Sequence, residues 1–293
     1  MKIEADFCPQ HGHHQPFTIY HSPLVAMKYF KPSLVPIAAA IGVVMTFFAF
    51  NRSTNIPEKT TNSIAHNAPE KVPLSNNKGV AVLELFTSEG CSSCPSADDV
   101  LRDLAKDSNV MAMSFHVTYW NRLGWTDSFS QKIFDERQYK YGEKFKANGV
   151  YTPQAVINGS VEMVGSRRND VSKAVKLALE MPSKVQISLK TTVKDGDIDV
   201  HYVLTGDVPK DAVLQFALVE SGFATRVKRG ENGGQTLKHD NVVRDFEAKK
   251  TVYTEGSYLV VPLSGWNVKN CSVVVFLQEK GLGRVVGAAK IKL

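Results

Sequence analysis

The sequence predicts an α/β domain followed by an all-β, sandwich-like domain, with one apolar segment close to the N-terminus. In residues 79–182, short apolar runs alternate with stretches whose apolar positions recur every three or four residues, as strands alternate with helices in α/β proteins. In residues 184–293 the period changes to two and turn residues separate the short runs, a pattern typical of a β-sandwich. The length of 293 residues suits about two such domains.

The net charge and the cysteine content argue against two classes of protein, those that bind nucleic acids and those built on a disulfide scaffold. The chain carries 35 Lys and Arg against 29 Asp and Glu, a formal net charge of +6. Because the basic residues are scattered rather than clustered, we expect no nucleic-acid partner. The 4 cysteines are too few for a disulfide scaffold, and two of them share one Cys-x-x-Cys motif. We expect Cys271, at the start of an apolar strand, to be a buried free thiol.

Three segments precede the predicted domains. Residues 1–32 form an N-terminal extension, and residues 33–50 carry no charged side chain. This second segment is just long enough to cross a bilayer, which needs about 17–25 apolar residues, so we expect a transmembrane anchor, with a cleaved signal peptide as the alternative. Residues 51–78, rich in Asn, Ser, Thr and Pro, are predicted to be a flexible linker. Both alternatives place the folded part in the periplasm or outside the cell, held at the inner membrane if the anchor persists.

The α/β domain begins with a predicted strand at Val80–Phe86, whose nearly continuous apolar character indicates a sheet covered on both faces. A helix follows, and a second strand at Val110–Val117 is expected to lie parallel to the first through this helical crossover. A looser helical pattern covers Ser128–Phe145, a strand follows Thr152-Pro153, and a final helix contains Val171–Ala178. The first helix is predicted from the spacing of Ala97, Val100, Leu101, Leu104 and Ala105.

The all-β domain begins with alternating apolar residues from Val185, and the dipeptide Asp195-Gly196 indicates a hairpin. The stretch from Arg226 to Arg244 is rich in glycine and basic residues. We interpret it as a long solvated hairpin; the alternatives are a loop that binds an anionic group or contacts the first domain. Later strands are predicted at Val213–Glu220, Tyr258–Leu263, Ser272–Gln278 and Val285–Leu293.

The chemistry of this chain is indicated by Cys91-Ser92-Ser93-Cys94, which stands between the first strand and the first helix. The free N–H groups and the dipole at a helix N-terminus favour a thiolate, so Cys91 is the expected nucleophile and Cys94 the resolving thiol. A purely structural disulfide is the first alternative, although so short a loop removes little entropy from the unfolded chain. Half of a zinc site is the second, but no further Cys-x-x-Cys or Cys-x-x-His follows.

Two further side chains are candidates for the same site. His116 ends the second predicted strand, where a histidine can stabilise a thiolate or relay a proton; the alternative is a histidine that only bonds the following loop. Glu84 lies in the first strand and should share a face with Val82 and Phe86. A carboxylate in so apolar a run is unfavourable unless it is paired, and exposure at the sheet edge is the alternative.

Four segments carry a specific resemblance, over roughly residues 79–293: LFTSEGCSSCPSAD, SFHVTYWNRLGW, VYTPQAVING and RGENGGQTLKHDNVVR. They are similar to a bacterial family of exported thioredoxin-like proteins catalogued as a domain of unknown function. The order of predicted elements also resembles the thioredoxin superfamily. That resemblance implies a thioredoxin-like fold for the α/β domain and a cis-proline at Pro153 that lies against the active-site disulfide. It also implies that Glu84 serves as a buried proton acceptor.

Together, motif and resemblance predict an exported, membrane-tethered thiol–disulfide oxidoreductase that needs no cofactor other than the Cys91–Cys94 disulfide. Its partners would be protein thiols or disulfides in the periplasm, and residues 33–50 would contact the membrane. One alternative is a metal-binding or copper-delivery protein that uses Cys91, Cys94 and His116, since thiolate and imidazole suit Cu(I). Another is a non-catalytic binding module in which the β domain does the work.

Overall fold

Strands dominate this computed structural model, which describes residues 79–194, 197–250, 253–261 and 266–293. The first half contains β1 (Ala81–Thr87), α1 (Cys94–Leu104), β2 (Val110–His116), α2 (Lys132–Phe145), β3 (Gln154–Ile157), β4 (Val161–Val164) and α3 (Arg168–Glu180). The second half contains β5 (Val185–Lys194), β6 (Asp197–Gly206), β7 (Val213–Glu220), β8 (Phe223–Arg226), β9 (Thr236–His239), β10 (Val242–Lys249), β11 (Glu255–Val260), β12 (Cys271–Gln278) and β13 (Val285–Lys292). Single 3₁₀ turns cover Asn121–Leu123 and Val268–Asn270.

A mixed sheet of eight strands, in the order β13-β12-β7-β10-β2-β1-β3-β4, crosses both halves of the chain. Strand β1 pairs in parallel with β2 and antiparallel with β3. Strand β10 joins the other edge of β2 in parallel, where Val242 pairs with Ser114. The Ser114 N–H also donates to the Asn241 carbonyl at 2.9 Å. The two halves are therefore joined through the backbone of one sheet.

Three clusters of buried side chains lie against the sheets. Helices α1 and α3 pack on one face of β1, β2 and β3. The three-stranded sheet β11-β6-β5 packs on β7 and β12. A third cluster draws on both halves, because α2 packs where strands of the first half meet strands of the second; among its members are Phe86, Phe115, Phe134, Tyr141, Ala217, Val219 and Phe276.

The predicted fold class, an α/β thioredoxin-like domain followed by an all-β sandwich, is wrong. The described part of the chain is mostly β and is built on one mixed sheet that includes strands from both halves. There are two physical reasons. Strand β10 pairs with the edge that β2 would otherwise leave open. In addition, the cluster of buried side chains beneath α2 contains residues of both halves. All described residues belong to one compact unit of the chain.

The predicted membrane segment at residues 33–50 lies outside the described residues, as do residues 1–32 and 51–78. Within the described ranges, no helix combines the length and the apolar character needed to cross a bilayer. Asp195-Gly196 is also outside the described residues, although β5 and β6 pair as far as Lys194 and Asp197 on either side of it. Membrane attachment therefore stays a prediction from the sequence.

We predict that Phe276→Ala, a substitution in the second half, destabilises the first half as much as it destabilises the second. Phe276 is fully buried in the core that both halves share, and such a truncation costs about 3–5 kcal/mol. In a Trp266→Phe background, urea unfolding followed by Trp120 and Trp125 fluorescence should shift together with far-UV circular dichroism. Val193→Ala, at a side chain 72% exposed, is the control and should leave the midpoint almost unchanged. An unchanged tryptophan transition in Phe276→Ala would show that the halves unfold independently.

Candidate functional site

The Cys91–Cys94 disulfide forms where β1 ends and α1 begins. The Cys91 N–H donates to the Ser88 carbonyl at 3.2 Å, Cys94 is the first residue of α1, and Pro95 follows in its first turn. The two Cα atoms are 5.4 Å apart. Cys91 is 1% exposed and Cys94 is fully buried. The disulfide is therefore closed over by other parts of the protein.

The carboxyl ends of β1 and β2 carry polar side chains on the face that α1 covers. Leu83 and Leu85 of β1, with Ala112 of β2, pack in the cluster that contains α1. Because alternate residues of a strand share a face, Thr87 and His116 at the ends of these strands lie on the same side. The carboxyl ends of neighbouring parallel strands are where open α/β sheets bind their ligands.

His239, at the end of β9, lies between two carboxylates that flank the disulfide in the sequence. Its Nε2 is 3.3 Å from Glu89 Oε1, and its Nδ1 is 3.4 Å from Asp98 Oδ2. Burial alone would lower the pKa of the imidazole, but the two carboxylates outweigh burial and raise the pKa of His239 to about 9. The second half of the chain thus supplies an imidazolium beside Cys91 and Cys94.

His116 belongs to the same group of buried residues. Its Nδ1 lies 2.7 Å from Asp127 Oδ2, which also accepts the Glu89 N–H at 2.9 Å. Burial would raise the pKa of Asp127, but the charge of His116 and these hydrogen bonds hold it below its usual value. The rings of His116 and His239 are 5.0 Å apart. We call these five side chains the ionisable cluster: Glu89, Asp98, His116, Asp127 and His239.

The ionisable cluster keeps some of its polar atoms without hydrogen bonds. Among the described residues, His116 Nε2, Glu89 Oε1 and both ring nitrogens of His239 are buried and make none. Three of these atoms, Glu89 Oε1 and the two ring nitrogens of His239, nevertheless lie in the His239 ion pairs. Buried polar atoms without hydrogen bonds are rare in folded proteins, and a redox or catalytic role is one explanation for them. The cluster is therefore a physical indication of chemistry near the Cys-x-x-Cys motif.

Residues 227–235, which we call the cap loop, lie over the Cys-x-x-Cys motif. The Asn232 Nδ2 donates to the carbonyls of Glu89 and Cys91, both at 2.9 Å, and Asn232 is only 1% exposed. The Ser92 N–H donates to Glu231 Oε2 at 2.9 Å. The glycine-rich stretch interpreted from sequence as a solvated hairpin thus makes contact with the disulfide loop, which was the alternative interpretation.

Trp120 connects the disulfide loop with the segment before β3. Its Nε1 donates to Thr152 Oγ1 at 2.8 Å, and a Cβ on Gly90 would lie 3.2 Å from its Cβ. The Thr152–Pro153 peptide bond is cis. A Cβ on Gly165 would lie 3.4 Å from Pro153 and 3.3 Å from a side chain of α1. Pro153 and α1 therefore approach closely across Gly165.

Glu84 lies on the other face of the sheet. Its carboxylate accepts hydrogen bonds from Arg137 Nε at 2.5 Å, Arg137 Nη2 at 3.0 Å and the Tyr141 hydroxyl at 2.5 Å. Both donors belong to α2, and the neighbours of Glu84 on this face, Val82 and Phe86, pack in the core that contains α2. The carboxylate is buried and paired, and α1 covers the opposite face.

The structure thus gathers four of the five predicted site residues near the start of α1, with Glu84 apart. Sequence reasoning missed five others, namely Glu89, Asp98, Asp127, Asn232 and His239. Acidic residues on both sides of the Cys-x-x-Cys motif were a visible signal for the first two. Asn232 and His239 come from a distant part of the chain, and only the pairing of β10 with β2 brings them close.

The described residues contain no group of three or more His, Cys, Asp or Glu side chains arranged to hold a metal ion. The predicted free thiol of Cys271 is confirmed. Its Sγ donates to the Asn267 carbonyl at 3.4 Å, and burial raises the pKa of Cys271 to about 11. A thiol of that pKa contributes little thiolate at neutral pH.

We predict that the free energy of unfolding falls as pH rises, because His239 loses its proton. Its pKa is about 9 in the folded protein and about 6.5 when unfolded, so this contribution is complete below pH 6.5 and is lost as pH rises towards 9. The contribution of His239 to the free energy of unfolding at low pH is on the order of 3 kcal/mol. Free energies of unfolding at pH 6, 7.5 and 9 should converge between wild type and His239→Gln as pH rises. His201→Gln, at a partly exposed histidine near Glu255, is the control, and parallel curves for His239→Gln and wild type would refute the prediction.

Comparison with known proteins gives a family and a fold. The X-ray structure of protein AGR_C_4864 from Agrobacterium tumefaciens is similar at 27% identity and a TM-score of 0.56, over 73% of this chain and 94% of that one. HBP35 of Porphyromonas gingivalis shares the fold at 15% identity and a TM-score of 0.55, over 74% and 76% of the two chains. No curated protein matches the chain. The profile of the family described as "Protein of unknown function (DUF1223)" matches residues 82–278, and the chain belongs to that family.

Proposed function

We propose that this protein exchanges disulfides with other proteins through Cys91 and Cys94, in the periplasm or outside the cell, while tethered to the membrane by residues 33–50. The observation that carries the proposal is the closed disulfide at the start of α1, buried beside the ionisable cluster. The reaction needs no organic cofactor, because the disulfide itself accepts or donates two electrons.

The exchange proceeds through a mixed disulfide. A thiolate of the partner attacks Cys91 Sγ, the Cys91–Cys94 bond breaks, and Cys94 leaves as a thiolate that takes up a proton. A second partner thiolate then attacks the mixed disulfide, which releases an oxidised partner and leaves Cys91 and Cys94 reduced. The reverse sequence oxidises the protein and reduces a partner disulfide. In both directions the sulfur that bonds the partner is expected to be Cys91 Sγ, because Cys91 precedes the helix, whereas Cys94 lies within its first turn.

The ionisable cluster supports this reaction by holding protons and charge near the sulfurs. The His239 imidazolium offsets part of the negative charge of the Glu89 and Asp98 carboxylates, which would otherwise repel a forming thiolate more strongly. His116, paired with Asp127 through Nδ1, has an Nε2 that makes no hydrogen bond and can exchange a proton with the site. Glu84, bonded to Arg137 and Tyr141 on the other face, has a structural role in this proposal.

Two further considerations favour exchange over a structural crosslink. The Cys91–Cys94 loop is so short that closing it stabilises the fold very little. The strand–Cys-x-x-Cys–helix motif is also the feature that this chain shares with the thioredoxin superfamily, whose members exchange disulfides. The relationship is proposed at the level of this motif and not of the fold class.

We predict that Cys94→Ser traps partners on Cys91. Without the resolving thiol, the mixed disulfide persists, so covalent adducts with a disulfide-containing test protein should appear on non-reducing gels and vanish with dithiothreitol. Both variants are made in a Cys271→Ser background. Cys91→Ser is the matched control and should form at least about tenfold less adduct, because Cys94 lies within the first turn of α1 whereas Cys91 precedes the helix. Equal adduct from the two variants would contradict the proposed exchange.

A further inference from the structure

The cap loop is bonded to the backbone beside a disulfide that is closed to solvent. Cys91 and Cys94 expose almost no surface, and Asn232, which bonds the Glu89 and Cys91 carbonyls, is itself buried. A thiolate must approach a disulfide along the sulfur–sulfur axis and needs access to the attacked sulfur. In the structure as it stands, a partner protein cannot place its thiolate against Cys91.

The cap loop is connected to the rest of the protein in a way that permits it to move as a unit. Strands β8 and β9, which flank it, pair only with each other in the described sheets and form a separate two-stranded ribbon. Within the loop, the Gly234 N–H donates to the Val227 carbonyl and the Gly233 N–H to the Gly230 carbonyl. Opening therefore leaves both the eight-stranded sheet and the loop's own turns intact.

Few polar contacts hold the loop closed. The Asn232 side-chain amide donates to the backbone carbonyls of Glu89 and Cys91, and the Glu231 carboxylate accepts the Ser92 N–H. Beside the loop, Arg102 of α1 bonds Asp240 Oδ2 at 2.5 Å and the Lys238 carbonyl at 2.9 Å. In the adjoining strand β9, His239 also pairs with Glu89 and Asp98. Within the cap loop, the contacts to the disulfide loop are those of Asn232 and Glu231.

We propose that the cap loop is a lid that keeps the Cys91–Cys94 site inactive until it is displaced, with Asn232 as the latch. The inference rests on the proposed exchange function. A partner that binds must break the two Asn232 hydrogen bonds, and its own chain then takes the space beside the Glu89 and Cys91 carbonyls. The lid thus makes exchange depend on partner binding and protects the disulfide from small thiols.

The test measures access directly, without any protein partner. In the full chain with Cys271→Ser, tris(2-carboxyethyl)phosphine reduces the disulfide and the new thiols are counted by alkylation and mass spectrometry. Asn232→Ala should be reduced at least about tenfold faster than the parent, which corresponds to about 1.4 kcal/mol of lost closure. Trypsin should also cleave faster after Lys228 or Arg229, a readout of opening that is independent of sulfur chemistry.

Two further variants serve as a control and as a second test of the lid. Asn109→Ala removes an amide that bonds Asp107 and should react at the parental rate. Glu231→Gln weakens the other contact and should accelerate reduction in the same direction but less, which keeps the test valid if Asn232→Ala folds poorly. Reduction of both variants at the parental rate would overturn the lid, whether or not trypsin cleavage changes. Because a closed lid would also block trapping, the trapping experiment is repeated with Asn232→Ala added to Cys94→Ser. If that variant is reduced faster but still forms no adduct, the exchange function is rejected and the lid stands.

Discussion

The parallel pairing of β10 with β2, where Val242 meets Ser114, is the constraint on which the rest of the structure depends. It merges the two halves of the chain into one sheet, and it fixes where the preceding segment must lie. His239 is three residues upstream of Val242 and the cap loop a few residues further, so both are held over the start of α1. A different partner strand for β10 would leave Glu89 and Asp98 as buried carboxylates without a cation, which is strongly unfavourable.

The core beneath α2 supports the same arrangement from the opposite face. The Arg137 guanidinium, bonded to Glu84, lies 4.9 Å from the ring centroid of Phe246 and 5.8 Å from that of Phe276, both in the second half. It also lies 5.3 Å from the Tyr141 ring of the first half. A buried ion pair is favourable only when its charges are fully bonded, and here strands and a helix from both halves enclose it. Glu84 therefore helps to join the two halves by holding Arg137 in place. This structural role explains why a carboxylate occurs within an apolar strand, and it requires no part in the reaction.

Periodicity in the sequence predicted the continuously apolar strands and the alternating hairpin of β5 and β6, and it failed in the charged, glycine-rich region around β9. Strands β1, β2, β7, β12 and β13 were located to within about two residues because continuous apolar runs mark them. The stretch Arg226–Arg244, interpreted as a solvated hairpin, contains β9 and the start of β10, and most of β8 and of β10 was not predicted. Both β8 and most of β10 alternate partly buried with exposed residues. The fold class failed for a related reason: periodicity identifies strands but carries no information on which strands pair. Cys91, Cys94 and His116 were found from local motifs, whereas Asn232 and His239 reach the site only through tertiary structure.

The most direct test of the central claim is the reduction potential of the Cys91–Cys94 pair, measured in a Cys271→Ser background by equilibration with glutathione and dithiothreitol buffers. An exchange site should titrate between about −270 mV, the value of a thioredoxin-type reductant, and about −120 mV, that of a disulfide-introducing oxidant. The protein should also remain folded in both redox states by circular dichroism. A pair that stays oxidised below about −300 mV would be a structural crosslink, and the account of this protein as a disulfide-exchange protein would fail.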